Sequence, residues 1–335
     1  MHPVEIGVER ITVHSRRTFA IARCASDTFE RVILTLAEGG VVGRGEAAPT
    51  GYYGGKAEDV SGALGQVEVR NPWDIEGTLA GNGSLHPAAL AALDAALHDL
   101  AARRLEVAVY KLLGLARPEP ASAYTLAIAE TETTVAEAKR LSGLPVLKIK
   151  VGGEEDLETV RVVAESSNAA VWIDANEAFS PAEAPKVARE LKEIGVCLIE
   201  QPVPAGAGPV ALRRVTEAAE PVPVIADEGA VDAGDVPLLS GCASGVNVKL
   251  AKCGGIRGAI RMIHTARAHG MLVMLGCMVE TSLGIAAAAQ ISGLVDFVDL
   301  DGAMLLADDP FVGLGYQNGR IYLPGSPGLG VEPRG

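Results

Sequence analysis

Eight short apolar runs recur between residues 121 and 299 of this 335-residue chain, and helix-like stretches separate most of them. Runs that are apolar throughout, without polar alternation, are typical of parallel strands covered on both faces. Alternation of such strands with helices predicts an α/β fold, and eight regular repeats favour a closed barrel over an open sheet. The predicted strands span residues 123–128, 146–151, 171–174, 197–200, 222–226, 245–248, 272–275 and 297–299.

The stretches between these strands show helical periodicity. We therefore assign residues 116–307 to the barrel. The remaining residues, 308–335, are rich in glycine and proline, and we expect them to form an ordered extended segment that packs back on the N-terminal domain. The clearest predicted helices span residues 135–141, 156–166, 182–194 and 256–269.

Residues 1–115 show a different pattern, with apolar β-branched runs first and helical periodicity after them. Gly39-Gly40 supplies a turn between two of the runs, so this part begins with a β-meander. The first long helix is predicted to begin near Ser84, a capping residue followed closely by proline, and a second short helix ends near Gly114. Strands followed by helices predict a separate α+β domain. The three runs lie at residues 4–13, 29–37 and 41–47.

Charged residues stand at the ends of the barrel runs in a regular series. Lys148 and Lys150 close the second run, and a further lysine, Lys249, follows the sixth. Three carboxylates lie between them, and consecutive members from Lys150 onward are roughly 22–27 residues apart, close to the ~30 residues of one barrel repeat. The carboxyl ends of parallel barrel strands meet at one face, so we expect these side chains to share one mouth. The carboxylates are Asp174, Glu200 and Asp227.

The three carboxylates predict a metal site. Unpaired, they would repel one another strongly in a mouth of low dielectric constant, and a hard divalent cation removes that repulsion. Oxygen ligands with room for water and substrate suit Mg²⁺. Each of Asp174, Glu200 and Asp227 taken alone could equally be a solvated strand-end acid or a helix cap. Their common position at three consecutive strand ends favours the metal site.

The three lysines predict proton transfer. Lys148 and Lys150 are two residues apart on a strand, so both side chains point to the barrel mouth, although such a pair alone is more typical of an exposed edge strand. Lys249 comes from the sixth strand, across the barrel from the second. Epimerisation requires a base on each side of a carbon acid, one removing the α-proton and the other returning a proton, while Mg²⁺ stabilises the enediolate. We expect nearby positive charge to lower the lysine pKa from ~10.4 toward neutrality.

The composition limits the partners of the chain. The formal net charge is -13 and the pI is near 5.0, which argues against nucleic acid or an anionic membrane as a partner. Five scattered cysteines without CxxC pairing predict neither disulfides nor a zinc framework, and they indicate a reducing compartment. The N-terminus lacks a basic segment followed by an apolar core, and no apolar run is long enough to span a bilayer. We therefore expect a cytoplasmic protein without a membrane partner.

The ordered set of motifs resembles the enolase superfamily, in the subgroup that contains muconate-lactonising enzyme. The similarity extends over nearly the whole chain, and the helical stretch 88–114 is similar to the one that precedes the barrel in that subgroup. Glu177 departs from the subgroup pattern, where glutamine is common after the asparagine. We expect it to tune the surroundings of the site and not to abolish the chemistry. The motifs are LKIKVG at 147–152, WIDANEAF at 172–179, IEQPV at 199–203, ADEG at 226–229, VNVKLAKCGGI at 246–256 and LGCMVETSLGIAAA at 275–288.

The resemblance implies the fold, the metal and the roles of the charged residues. The fold would be a modified (β/α)7β barrel of the TIM type with an N-terminal α+β capping domain. One Mg²⁺ per subunit would bind to the three carboxylates named above. Lys150 and Lys249 would be the acid/base pair, and Lys148 would bind and assist the metal-bound carboxylate of the substrate.

Substrate choice depends on other segments, because the subgroup is catalytically diverse. Asp299 and Asp301 lie two apart at the last strand and are expected to face the same way, where two acids can bind an α-ammonium group. This DxD pair resembles the motif that holds the dipeptide N-terminus in dipeptide epimerases, and a locally capped strand-end pair is the simpler alternative. Arg23, in the loop 15–23, is similar to the arginine that pairs with the glutamate side chain in Ala-Glu epimerases, but an ordinary surface arginine matches nearly as well. Residues 50–55 predict a mobile flap with glycine hinges.

These features predict a Mg²⁺-dependent dipeptide epimerase of cell wall peptide metabolism. It would invert the α-carbon of the C-terminal residue of a dipeptide such as L-Ala-L/D-Glu, and we expect it to form a homo-oligomer. The alternatives within the subgroup are N-acylamino acid racemase, o-succinylbenzoate synthase and muconate-type cycloisomerase, of which the last two act on substrates without the ammonium group. A non-catalytic ligand-binding barrel is the alternative of another class, and it would require loss of lysines or acids that are all present.

Overall fold

Two large sheets of different kinds, followed by two small two-stranded ones, form along residues 3–335, the part of the chain that the computed structural model describes. The first sheet has three antiparallel strands, and the second has eight strands whose spatial order follows the sequence. The predicted α/β barrel with a preceding α+β domain is therefore confirmed. Among residues 3–335, no helix combines the length and the apolar character needed to cross a membrane.

The antiparallel sheet contains β1 (Glu5–Ile21), β2 (Cys24–Glu38) and β3 (Val41–Ala47). The prediction of a loop at 15–23 is wrong, because β1 continues through most of it to Ile21. The pairing of β1 with β2 shifts register between His14 and Phe19, and the polar residues at this irregularity interrupt the apolar pattern. The outcome is a long hairpin whose tight turn contains Arg23.

Four helices complete the first domain: α1 (Ala57–Leu64), α2 (Ile75–Gly81), α3 (Pro87–Arg104) and α4 (Val109–Leu112). The cap of α3 is His86 and not the predicted Ser84, because the ring nitrogen Nδ1 of His86 accepts a hydrogen bond from the Ala88 N–H at 3.1 Å. A side chain two residues further back does not occupy the capping position beside the first free N–H groups. Pro87 stands in the first turn, where its missing N–H is not needed.

The central helix α3 is buried on nearly all sides. It packs so closely on β3 that a Cβ atom at Gly45 would lie 2.0 Å from the Ala92 carbonyl oxygen, so only glycine fits there. On its other side, Asp94 accepts a hydrogen bond from the Arg257 N–H of the second domain at 2.9 Å. The helix therefore joins the two domains through both packing and polar contacts.

The eight predicted barrel strands are confirmed, with small shifts at their ends. All neighbouring strands run parallel, and the Ala123 N–H donates a hydrogen bond of 2.9 Å to the Val298 carbonyl, which links the first barrel strand to the last. The strands are β4 (Tyr124–Leu126), β5 (Val146–Lys150), β6 (Ala170–Asp174), β7 (Leu198–Glu200), β8 (Val224–Ala226), β9 (Gly245–Val248), β10 (Leu272–Gly276) and β11 (Phe297–Asp299).

Helices follow the first seven barrel strands, whereas β11 is followed only by the short 3-10 helix Gly302–Leu305. This is the predicted (β/α)7β arrangement. The helices are α5 (Thr131–Arg140), α6 (Leu157–Ser166), α7 (Ala184–Ile194), α8 (Gly208–Ala219), α9 (Val236–Leu239), α10 (Leu250–Cys253), α11 (Ile256–Ala268) and α12 (Ser282–Ala289).

An apolar layer inside the barrel supports the residues at its mouth. Trp172 and Leu198 belong to this layer, and each precedes an acid, Asp174 or Glu200, by two residues. Because side chains two apart on a strand share a face, the acids lie directly beyond the apolar layer. The layer is formed by Ala123, Trp172, Leu198, Ile225 and Met274, with Val146, Leu272 and Phe297 packed against it.

The last segment contains four short strands: β12 (Phe311–Val312), β13 (Gly315–Gln317), β14 (Arg320–Tyr322) and β15 (Glu332–Pro333). It contacts the first domain where the Leu329 N–H donates to Asp99 Oδ1 at 2.7 Å and the Val109 N–H donates to the Gly328 carbonyl at 2.9 Å. It also contacts the start of the barrel, where the Ser122 N–H donates to a backbone carbonyl of the segment. The segment therefore spans both domains.

Candidate active site

A row of charged residues closes the carboxyl ends of neighbouring barrel strands. In the parallel pairing, Lys150 of β5 lies opposite Asp174 of β6, and Asp174 lies opposite Glu200 of β7. Asp227 comes directly after β8, and Lys249 comes directly after β9. All five side chains are buried. The structure thus brings together at one end of the barrel the acids and lysines of the sequence series.

The two lysines of β5 contact different numbers of acids. Lys150 Nζ lies 2.5 Å from Asp174 Oδ2. Lys148 Nζ lies 3.1 Å from the same Asp174 oxygen and 2.7 Å from Glu200 Oε2. It also lies 2.6 Å from Asp299 Oδ2, and its side chain is only 2% exposed. Lys148 is therefore held among three carboxylates, whereas Lys150 reaches the cavity from the end of the strand.

Two lysines hold Asp227 on the opposite side of the barrel. Lys249 Nζ lies 2.7 Å from Asp227 Oδ2. Lys252, which the sequence analysis missed, donates to Asp227 Oδ1 at 2.6 Å and to the Asp227 carbonyl at 2.7 Å. Its other two donor contacts, both 2.9 Å long, go to the carbonyls of Ala230 and Asn247. A lysine so enclosed acts as a fixed charge that orients Asp227, and its position three residues after Lys249 is the only signal in the sequence.

Amide side chains complete the surroundings of the acids, and the sequence analysis missed these as well. Asn247 Nδ2 donates to Glu200 Oε1 at 2.6 Å. Gln201 Oε1 accepts a hydrogen bond of 2.7 Å from the Asp227 N–H. These contacts fix the Glu200 carboxylate and the Asp227 backbone without adding charge, and the second joins the loops after β7 and β8.

The charges of the site shift pKa values in opposite directions. Burial and the neighbouring Asp174 carboxylate raise the pKa of Glu200 to about 7. Burial alone would raise the pKa of Asp174, but the ammonium groups of Lys148 and Lys150 more than offset it, so the pKa of Asp174 is lowered. The expected lowering of a lysine pKa refers to the site with its metal and stays a prediction. In the protein alone, burial favours the neutral amine of Lys249, yet the adjacent Asp227 carboxylate outweighs burial and raises its pKa.

The chemistry of the donors fits Mg²⁺. Among residues 3–335, no three His, Cys, Asp or Glu side chains are grouped closely enough to hold a metal ion as they stand, because Asp174 and Asp227 each direct an oxygen at a lysine. Glu200 Oε2 is buried, and no donor among residues 3–335 gives it a hydrogen bond of good geometry. Its near neighbour is the Lys148 ammonium, with Nζ 2.7 Å away. Three buried carboxylates on adjacent strand ends, one with an unsatisfied oxygen, form a hard oxygen donor set of the kind that binds Mg²⁺.

The acid pair at the last strand lines the same cavity. Asp299 ends β11 and directs Oδ2 at Lys148, while its Oδ1 is buried without a hydrogen-bond partner among residues 3–335. Asp301 lies just beyond the strand, and its Oδ2 accepts a hydrogen bond from the Thr125 N–H at 2.6 Å. Burial and the Asp299 carboxylate raise the pKa of Asp301 to about 7. The pair is thus buried, acidic and only partly neutralised.

Arg23 reaches the site from the tip of the β1–β2 hairpin. Its guanidinium lies 2.7 Å from Glu177 Oε2 and 2.5 Å from Glu228 Oε1. It also lies over the ring of Tyr52, 4.4 Å from the ring centroid. Arg23 is therefore not an isolated surface residue, and its immediate partners are protein carboxylates.

A cavity of about 1000 Å³ is lined by the lysines, Asp227, the acid pair and Arg23, whereas Asp174 and Glu200 are fully buried and do not line it. That volume stands at the upper end of the range for small-molecule sites, ~300–1,000 Å³. The barrel contributes the lysines and acids, and the first domain contributes the hairpin around Arg23 and the flap around Tyr52 and Tyr53. The barrel therefore supplies the charged groups at the bottom of the cavity, and the first domain covers it.

Two protein-family models together match most of the chain. Residues 5–114 match the N-terminal domain of mandelate racemase / muconate lactonizing enzyme, and residues 130–335 match the domain described as enolase C-terminal domain-like. The fold and these matches define a class of protein in which a capping domain covers a barrel with acids and lysines at its mouth. The chain belongs to the mandelate racemase / muconate lactonizing enzyme family of the enolase superfamily.

Similar proteins with assigned activities extend over nearly the full length. An L-Ala-D/L-Glu epimerase from Bacteroides thetaiotaomicron is 38% identical, over 94% of this chain and 84% of its own. An L-Ala-D/L-amino acid epimerase from Maribacter sp. is 36% identical, over 98% of this chain and 99% of its own. The crystal structure of a dipeptide epimerase from Enterococcus faecalis, complexed with Mg and the dipeptide L-Leu-L-Tyr, is 30% identical, covers 99% of both chains and gives a TM-score of 0.92.

Proposed function

We propose that this protein is a Mg²⁺-dependent dipeptide epimerase, which inverts the α-carbon of the C-terminal residue of a dipeptide such as L-Ala-L/D-Glu. One observation carries the proposal: Lys150 and Lys249 come from β5 and β9, which are four strands apart in a barrel of eight and so lie on opposite sides of one cavity. A carbon held between them faces one lysine on each side. The similarity to epimerases of dipeptides supports the same conclusion.

The two lysines carry out the proton transfer. One of them, as the neutral amine, takes the proton from the α-carbon, and the other, as the ammonium, gives a proton to the opposite face. The C–H bond broken on one face is replaced by a C–H bond on the other, so the configuration inverts and no atom of the dipeptide is lost. Mg²⁺ held by Asp174, Glu200 and Asp227 would supply the positive charge that makes the α-proton acidic. Lys148, fixed among three carboxylates, adds a second positive charge at the same place.

Two acids and an arginine would hold the ends of the dipeptide. The buried oxygen Asp299 Oδ1 and the carboxylate of Asp301 suit the α-ammonium group of the first residue. Arg23 lies at the rim where the side chain of the second residue would reach the cover. A substrate without a free amine, such as an N-acylamino acid, would leave the acid pair without a partner.

The test is exchange of the α-proton in D₂O with Mg²⁺, read by mass shift over a library of dipeptides. We expect exchange and epimerisation of at least one dipeptide. Lys150→Ala and Lys249→Ala should each reduce epimerisation by about 10²–10⁴-fold, as for loss of a general acid or base, while one variant keeps exchange from a single enantiomer. The absence of exchange with every dipeptide and acylamino acid would exclude the proposed activity. Epimerisation by both variants at about the wild-type rate would exclude the two-base mechanism.

The cellular setting is part of the proposal. The L-Ala-D/L-Glu epimerase among its relatives supports a role in cell wall peptide metabolism, and the free cysteines support a reducing compartment such as the cytoplasm. Assembly into a homo-oligomer stays a prediction from the sequence. Size-exclusion chromatography with light scattering would measure it.

A further inference from the structure

Glu177 lies where three parts of the molecule meet above the cavity. Its Oε2 is 2.7 Å from Arg23 Nη1, at the tip of the hairpin. Its Oε1 accepts a hydrogen bond of 3.0 Å from the hydroxyl of Tyr52 in the flap and one of 2.7 Å from the Ala205 N–H, after β7. The side chain of Glu177 is only 12% exposed. One carboxylate thus connects the hairpin, the flap and the barrel.

Arg23 is held from two sides by this arrangement. Besides Glu177, its guanidinium contacts Glu228 Oε1 at 2.5 Å and donates to the Asn176 carbonyl at 2.9 Å. The ring of Tyr52 covers it at 4.4 Å, a cation–π distance. Contacts of both Nη1 and Nη2 are therefore made with the protein itself, and the barrel loops set the position of the side chain.

The flap depends on these contacts for its position. Tyr52 stands in the short 3-10 helix Gly51–Tyr53 and is 46% exposed, so it is not held by burial in a core. The base of the flap is fixed where His86 Nε2 lies 3.1 Å from the Tyr53 carbonyl. At its tip, Tyr52 donates a hydrogen bond to Glu177, lies against the Arg23 guanidinium and packs edge-on against the Tyr53 ring. Burial and the bond to Glu177 raise the pKa of Tyr52, so it stays a hydroxyl donor at neutral pH.

The loop that carries Glu177 is rigid. Asn176 and Glu177 have φ values of 41° and 71°, in the left-handed region that residues other than glycine rarely adopt. The Glu177 N–H donates to the Gln201 carbonyl at 2.8 Å, and the Asn176 N–H donates to Asp174 Oδ1 at 3.0 Å. Such a conformation persists only where the surroundings hold it in place. The loop therefore presents the Glu177 carboxylate in a fixed direction, toward the cover.

We propose that Glu177 is a positioning residue that latches the flap and Arg23 over the reaction cavity. In this role it touches neither the metal nor the reacting carbon, and it sets the wall against which the substrate side chain packs. The effect of Glu177 on KM rests on the proposed epimerase function, whereas its contacts with the flap and Arg23 are a property of the free protein. The two can therefore be tested separately.

The first measurement is hydrogen exchange of residues 49–57 by mass spectrometry in the free protein. Glu177→Gln keeps an oxygen acceptor and loses the ion pair, and Glu177→Ala loses every contact. We expect exchange in this peptide to be about 10-fold faster in Glu177→Ala and less increased in Glu177→Gln, as for loss of a charge-assisted hydrogen bond. Glu183→Gln, a fully exposed acid bonded to Ser180 away from the flap, is the matched control and should leave the exchange unchanged. Equal exchange in all four proteins would overturn the proposal.

The second measurement is a double-mutant cycle with Tyr52→Phe, which removes the hydroxyl and keeps the ring over Arg23. We expect Tyr52→Phe and Glu177→Ala each to raise KM for a dipeptide several-fold, up to about 10-fold, with kcat changed less. Since both remove the bond between Tyr52 and Glu177, the double variant should be no worse than the poorer single variant. Additive effects would show that the two residues act independently and would overturn the latch. If the wild-type protein epimerises no dipeptide, the proposed function fails, and the exchange measurement still decides the latch.

Discussion

At the scale of single residues, the two acids of the DxD pair have different tasks. Asp299 gives one oxygen to Lys148 and keeps the other buried without a partner among residues 3–335. Asp301 gives one oxygen to the Thr125 N–H, and burial beside Asp299 raises its pKa to about 7. An ammonium group bound between them would relieve the repulsion of the two carboxylates. Their charge is thus arranged for a cation in the cavity.

Asp301→Asn keeps an acceptor for the Thr125 N–H and removes the charge. We expect KM for free-amine dipeptides to rise about 10–100-fold, as for loss of a charged hydrogen bond, with little change for an N-acetylamino acid. In the wild type, KM should rise as the pH falls below about 7, because the raised pKa of Asp301 lets the carboxylate take up a proton there. That pH dependence should disappear in the variant.

The control for this prediction is Asp59→Asn, an exposed acid at the start of α1. Its KM values should match those of the wild type at each pH. Unchanged KM for dipeptides in Asp301→Asn would contradict the ammonium role of the pair and would favour a substrate without a free amine.

The sequence predicts the residues whose position follows from one strand alone. Asp174 and Glu200 are found because each stands at a strand end, two residues beyond an apolar side chain of the same face. Lys252 is not found, because its enclosure comes from carbonyl groups of the loop after β8 and of strand β9. Glu177 is noticed only as a departure from a pattern. Its contacts with the hairpin and the flap join residues more than 120 positions apart, for which one sequence holds no signal.

At the scale of secondary-structure elements, Asp99 of α3 joins three of them. It accepts hydrogen bonds from the Arg44 N–H of β3 at 2.9 Å and from the Leu329 N–H of the last segment at 2.7 Å. Arg103, one turn along α3, adds an ion pair at 2.9 Å and also reaches Glu332. One buried carboxylate therefore satisfies groups from a strand, a helix and an extended segment.

Asp99→Ala should lower the free energy of unfolding by about 2–4 kcal/mol, because it leaves buried N–H groups and a partly buried guanidinium without their acceptor. Chemical denaturation followed by circular dichroism measures the change. Glu68→Gln, whose ion pair with Arg70 is exposed, is the control and should change the stability by less than about 0.5 kcal/mol. Equal stabilities of the two variants would contradict the role of Asp99.

The hairpin shows where prediction of elements from the sequence stops. The alternation of β1 is visible to Val13 and then interrupted by polar residues at the register shift between His14 and Phe19. The strand continues because its far half is held by the barrel, where the Ile128 N–H donates to the Ala20 carbonyl and Ser15 bridges to Leu306. Tertiary contacts, not local pattern, decide the length of this element.

At the scale of the whole molecule, the barrel mouth concentrates buried charge that must be balanced. The lysines balance much of the negative charge, but Glu200 keeps a raised pKa because burial and Asp174 both disfavour its carboxylate. A divalent cation would favour the charged carboxylate of Glu200. It would bind only the native state, because the acids are brought together only by the folded barrel. Metal binding should therefore be measurable as stability.

Mg²⁺ at about 100 times its dissociation constant should stabilise the wild type by about 2.7 kcal/mol. For a chain of 335 residues that corresponds to an increase in Tm of about 4 °C, reversed by EDTA. Glu200→Gln, which keeps the shape of the side chain and removes one ligand charge, should lose most of the increase. Scanning calorimetry with and without Mg²⁺ measures both proteins, and an equal increase in both would exclude Glu200 as a ligand.

The contacts between the last segment and the first domain also set an order of events during synthesis. The Leu329 N–H donates to Asp99, and the Asp308 carboxylate contacts His14. Both groups leave the ribosome long after the sheet and helices that they hold in place. The groups of the first domain that these contacts satisfy therefore stay without them while the barrel is translated. Part of the domain's attachment comes only with the last 30 or so residues, in contacts that span more than 200 positions of sequence. A ribosome stalled before that point would hold a barrel whose capping domain lacks these contacts.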